Sequence, residues 1–200
     1  GRPEIDLSYV TPETVAAVVV HPRRVLTAPE MEMLPIEVMS AAGIKDLGID
    51  PREIEQRLAI AEPPREGPPQ AGVVIKFSKP QQMGKVLPML IEQTERAEIN
   101  GRVYLQSGSP LFPSLYAVDR QTLIVAHDGL LRRLLSQDGA PAAVSMSMLV
   151  AGVGVPPDLI AAVVVDPVLP MIEFKLGDMP VPPPFEPLKK VPWLLSSIDG

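Results

Sequence analysis

Two hydrophobic rhythms alternate along this chain. Val15–Val20 is an unbroken apolar run rich in β-branched residues, which predicts a strand buried on both faces. His21-Pro22 ends it, because proline cannot donate to a strand ladder. Ala28-Pro29-Glu30 predicts a helix start, with Leu34, Val38 and Ala41–Ala42 at helical spacing and Gly43 as the stop. A second short helix is predicted over Pro51–Leu58, where Asp50 is the cap and Glu53 stands three residues on. Leu58–Ala61 and Gly72–Phe77 read as strands around an expected exposed loop, Glu62–Pro69, with four prolines and a glycine in eight residues.

The longest helix is predicted over residues 80–96. Met83, Val86, Leu87, Leu90 and Ile91 form its apolar stripe, and Pro88 kinks it. Asn100-Gly101 marks a tight turn before a strand at Val103–Gln106. Leu115–Val118 and Thr122–Ala126 predict a hairpin about Asp119-Arg120-Gln121. Asp128 caps a helix over Leu130–Ser136, Pro141–Val150 fits a helix better than a strand, and Leu159–Val165 is the last predicted strand.

The first and last of these strands echo one another. Val10–Pro22 and Val155–Pro167 are identical at eight of thirteen positions, at a constant offset of 145. Glu13 and Asp158 keep the charge as well, which points to one structural unit used twice. Strands and helices mix without strict alternation. The expected fold is therefore α+β, a mainly antiparallel sheet covered by helices, with a proline-rich C-terminal tail. Residues 1–170 form the α+β module, in which strand 159–165 either adds to the first sheet or starts a second copy. Residues 171–200 form a tail or linker; six prolines fall within 179–192.

Composition narrows the function classes. Hydrophobic residues make up 46% and aromatics 4%, so a sizeable core must come from aliphatic side chains and nine methionines. The net charge is −6, and the nearest basic groupings are the pairs Arg23-Arg24, Arg132-Arg133 and Lys189-Lys190, read as solvated faces. That argues against nucleic acid as a partner. With no cysteine, disulfides, thiolate metal sites and thiol nucleophiles are excluded. No apolar run is long enough for a transmembrane segment. The chain opens Gly-Arg-Pro-Glu, so Gly1 reads as the scar of a removed tag, with room for an export signal or lipid anchor ahead of it.

The succession VTPETVAAVVVHP, GVVIKFSKPQQMGKVLPML, VYLQ, SLYAVDRQTLIVAHDGLLRRLL and VPPDLIAAVVVDP resembles uncharacterised bacterial exported proteins built from repeated α+β modules, a domain of unknown function. The resemblance spans roughly residues 8–170. It implies a modular architecture and an extracytoplasmic setting, periplasmic or cell-envelope. It implies no activity and no catalytic residues.

Candidate chemistry is sparse. His127 sits at a strand-to-helix junction, where an acid such as Asp119, or Tyr116 across the hairpin, is expected within reach. Ser107 and Ser109 lie in a polar loop without the strained elbow of a nucleophilic serine. His21 ends the first strand, but its repeat partner is Asp166, so the fold needs no imidazole there. The carboxylate pairs Glu53/Glu55 and Glu30/Glu32 are expected to be solvated on helices. Gly152-Val153-Gly154 lacks the third glycine of a phosphate cradle. No cofactor or metal motif is present. The favoured reading is a non-catalytic binding or scaffolding module, with a protein partner or self-association through an edge strand. The alternative is a hydrolase-like enzyme using His127 with Asp119, Ser107 or Ser109.

Overall fold

The computed structural model describes residues 6–29, 35–63, 70–136 and the backbone of 159–163. By its internal contacts the chain divides into two units, Gly1–Ala162 and Val163–Gly200, where the sequence suggested a boundary near 170. The predicted helix at 141–150, the acids Glu30 and Glu32, the glycines at 152 and 154 and the tail all lie outside the described residues.

Eight strands form one sheet. They are β1 (Ala16–Val20), β2 (Ile54–Glu62), β3 (Gln70–Phe77), β4 (Thr94–Ile99), β5 (Arg102–Ser107), β6 (Ser114–Ala117), β7 (Thr122–Ala126) and β8 (Leu159–Val163). Their order is β4-β5-β6-β7-β3-β2-β1-β8, and the pairs from β4 through to β1 are antiparallel. The fold is α+β around an antiparallel sheet. The two valine-rich segments of the sequence each contribute a strand, and these two strands are neighbours.

Four short helices accompany the sheet: α1 (Pro22–Leu26), α2 (Ile36–Ala42), α3 (Pro88–Ile91) and α4 (Asp128–Ser136). Of these, α4 presents the broadest apolar surface, with Leu130, Leu131 and Leu135 buried. These α4 leucines pack on one face of the sheet, where Leu58, Ile60, Val74, Ile124 and Ala126 are also buried. The N-terminal segment helps to cover that face: Asp6 exchanges backbone hydrogen bonds with the Gln56 side chain, and Val10 is buried. Gly72 of β3 belongs there because a Cβ would stand 2.6 Å from the Ala126 Cβ and 3.2 Å from Leu130 Cδ2. On the opposite face, at the Phe77 end, a second cluster of Ile49, Ile54, Ile75, Phe77, Val86, Leu115 and Leu123 closes over the sheet.

Several sequence expectations fail for local reasons. The helix expected over Pro51–Leu58 is a single 3-10 turn, Pro51–Glu53, followed at once by β2. Asp50 does accept from the Arg52 N–H, but the alternating burial from Ile54 onward belongs to a strand. The helix expected over 80–96 breaks into a 3-10 turn at Met83–Lys85, α3, and then the strand β4. Pro88 does not kink a helix but starts one, and Leu87 before it takes a left-handed conformation at φ 53°. The helix expected to start at Ala28 is described from Ile36 and passes at Gly43 into a π-helical turn. β1 alternates in burial instead of being buried on both faces, and the short helix α1 follows it directly at Pro22–Leu26. Glu62, assigned to an exposed loop, is the buried last residue of β2.

Candidate functional site

Helix α4 organises two polar clusters. At its first turn the Asp128 carboxylate accepts from Ser114 Oγ at 3.1 Å, from Gln106 Nε2 at 3.4 Å and from Arg132 Nε at 2.7 Å. Asp128 thereby holds the Arg132 guanidinium above its ordinary pKa. Tyr104 is buried beside them. Burial first, and then the charge of Asp128, pushes its phenol pKa up. Ser114 is fully buried and its hydroxyl also accepts from the Ser107 N–H at 3.0 Å. These bonds fasten β5, β6 and α4 together.

The second cluster joins the N-terminal segment to α4. Glu62, with 2% of its side chain exposed, accepts from Arg133 Nη2 at 2.5 Å and from Thr11 Oγ1 at 2.7 Å. Thr14 Oγ1 in turn accepts from the Thr11 N–H. Sequence reading placed Arg132 and Arg133 on a solvated face. Each instead meets a carboxylate, Asp128 and Glu62 respectively. The i,i+4 spacing of Asp128 and Arg132 was a legible signal. Nothing in the sequence marked Glu62, Thr11 and Arg133 as neighbours.

The expected catalytic residues do not converge. His127 Nδ1 accepts from the Ala71 N–H at 2.9 Å, while the His127 N–H donates to the Ala71 carbonyl. With Nδ1 an acceptor, the neutral ring carries its proton on Nε2. Asp119 lies in the β6–β7 turn, where its Oδ1 accepts from the Gln121 N–H. That turn is at the opposite end of β7 from His127, roughly 17 Å away along the strand. Ser114 pairs with Ala126 across the hairpin, so Tyr116 faces Ile124 and not His127. Ser107 Oγ donates to the Ser109 carbonyl and accepts from the Ser109 N–H, a local ring with no base in it. His21 is buried at the head of α1. Glu53 accepts from Gln81 and Lys79 instead of sharing a site with Glu55. Among the described residues no three potential metal ligands come together. No helix among them is long and apolar enough to cross a membrane.

The sheet face away from α4 offers a different surface. Ala16 and Val18 of β1, Ala59 and Ala61 of β2, and Val73 and Val125 beyond them floor a trough of about 470 Å³. Pro113 and His127 line it at one end. A second hollow of about 440 Å³ adjoins it, sharing Val18 and Ala59, and is lined by Val20, Arg57, Pro51 and the Pro22–Leu26 helix. The register explains the shape. Ala16 pairs with Ala61, Val18 with Ala59, and Ala61 with Ala71, so small side chains stack across three strands and leave depth above the backbone.

No family model, curated protein or solved structure matches this chain.

Proposed function

We propose that this chain is a non-catalytic binding module and that its binding surface is the alanine–valine trough. The trough itself carries the reading: an apolar hollow of ligand-site size on the sheet face opposite α4, with few polar groups in its lining. The polar side chains point the same way. Asp128, Glu62 and His127 are engaged in bonds that tie elements of the fold together. The hydrolase-like alternative draws no support from the geometry, since neither Asp119 nor Ser107 is hydrogen-bonded to His127. The charged strand β4, with Glu95, Arg96 and Glu98, also argues against self-association at that sheet edge. The extracytoplasmic setting is proposed on the sequence resemblance alone.

The test is titration with a neutral apolar dye, Nile red. Wild type is expected to bind it saturably, and Ala59→Arg, which fills the trough with a charged side chain, to abolish that binding while keeping the wild-type circular dichroism. Equal dye binding by both proteins would refute the trough as the binding surface.

A further inference from the structure

The trough is not uniformly neutral. Arg57 stands on β2 opposite Val20 and Ile75, two residues from Ala59 and therefore on the same face. It lines the hollow against Val25 and Leu26 of α1. Arg52, Arg132 and Arg133 each face a carboxylate. The Arg57 side chain makes no ion pair or hydrogen bond among the described residues. A guanidinium offers five donors in a planar fork that fits a carboxylate with two parallel hydrogen bonds.

Taking as premise that the trough is the binding surface, we infer that its ligand is a free aliphatic carboxylic acid. Its carboxylate meets Arg57, and its chain lies over Ala59, Val18, Ala61 and Ala16 towards His127. From Arg57 to Ala61 the strand runs about 13 Å, the length of an extended chain of about ten carbons. The floor suits that chain. Between Arg57 and His127, alanine and valine leave an apolar floor, as an alkyl chain requires. Pro113 and α1 bound it at its two ends, which favours a single chain over a broad protein surface. At the other end His127 Nδ1 is already taken as the acceptor of the Ala71 N–H. The head group therefore belongs at the Arg57 end.

The experiment is calorimetric titration of the whole chain with dodecanoate below its micellar concentration, beside dodecan-1-ol. Nitrogen–proton spectra recorded alongside report which backbone amides move. Dodecanoate is expected to bind about ten-fold more tightly than the alcohol, and Arg57→Gln to remove that preference while the alcohol binds as before. Shifts are expected at Val18, Ala59 and His127. Equal affinity for acid and alcohol, or acid binding unaltered in Arg57→Gln, overturns the inference and leaves the trough reading intact. If neither ligand moves those amides and Nile red also fails to bind, the trough reading falls with it. Arg57 is exposed, so its replacement is not expected to impair folding, and the alcohol titration controls for that in the same protein.

Discussion

Removing the Arg133 guanidinium should expose how much the fold depends on the Glu62 cluster. The Glu62 carboxylate has 2% of its side chain exposed, and Arg133 has 32%. Two charges about 4 Å apart attract by about 4 kcal/mol at an effective dielectric near 20. Breaking a buried pair costs about 3–5 kcal/mol, because the remaining charge is stranded without water. Arg133 is partly solvated, so the lower end applies. Arg133→Met, which keeps the aliphatic stem, should therefore lower stability by about 3 kcal/mol. In urea, with a slope near 2 kcal/mol/M, the unfolding midpoint followed by far-ultraviolet circular dichroism should fall by about 1.5 M. Glu62→Gln keeps an acceptor for Thr11 and should cost about 1–2 kcal/mol. The double variant should cost less than the sum of the two by at least about 1.5 kcal/mol, since the second substitution removes the stranded charge. An Arg133→Met midpoint within about 0.2 M of wild type, or an additive cycle, would refute the claim that this pair ties the N-terminal segment to α4.

Three further outcomes follow from the packing and the charges. Gly72→Ala sets a methyl against the Ala126 Cβ and Leu130, and thermal unfolding should show a loss of about 1–3 kcal/mol. Burial opposes ionisation of Asp6, but Lys76 at 2.5 Å and Ser8 overcome it and hold its carboxyl below the ordinary value. A depressed acid stabilises above its unfolded pKa and loses that contribution as pH falls through the folded one. Asp6→Asn should thus cost about 1 kcal/mol at pH 7, discounted for its partial exposure, and nothing near pH 2, as read from urea midpoints at the two pH values. Burial raises the Tyr104 phenol, so its contribution is full below about pH 10 and is lost as pH rises through the folded value. Melting temperatures should therefore fall less steeply above pH 10 in Tyr104→Phe, with a residual slope from Tyr9, which burial also raises.

Where pattern and local chemistry agreed, the fold could be read from the chain. Thr122–Ala126 and its hairpin partner are strands because their β-branched and aromatic residues sit between turn residues, and they form where expected. Asn100 and Gly101 adopt φ 52° and 75°, the left-handed pair that a two-residue hairpin requires. Asp128–Ser136 is amphipathic and is a helix. The stretch at 80–96 is no single helix because, although its apolar spacing fits one, Pro80, Pro88 and Gly84 deny it a continuous ladder. The four charged or polar side chains of Thr94–Glu98 then settle as an edge strand. Periodicity alone does not weigh a missing backbone donor against an apolar stripe.

The sequence by itself determined the hairpin strands β6 and β7, the strand cores at Ala16–Val20 and Gly72–Phe77 and the tight turn at Asn100-Gly101, because those follow from φ preferences and local pattern. It also excluded thiol chemistry and any long apolar span. Only the tertiary structure decided which side chains meet. It buried Glu62 against Arg133, set Asp119 and His127 at opposite ends of one strand, and stacked alanines from three strands on the same face as Arg57. Those encounters depend on strand order and register, and residues such as 62 and 133 lie 71 positions apart with nothing local to relate them.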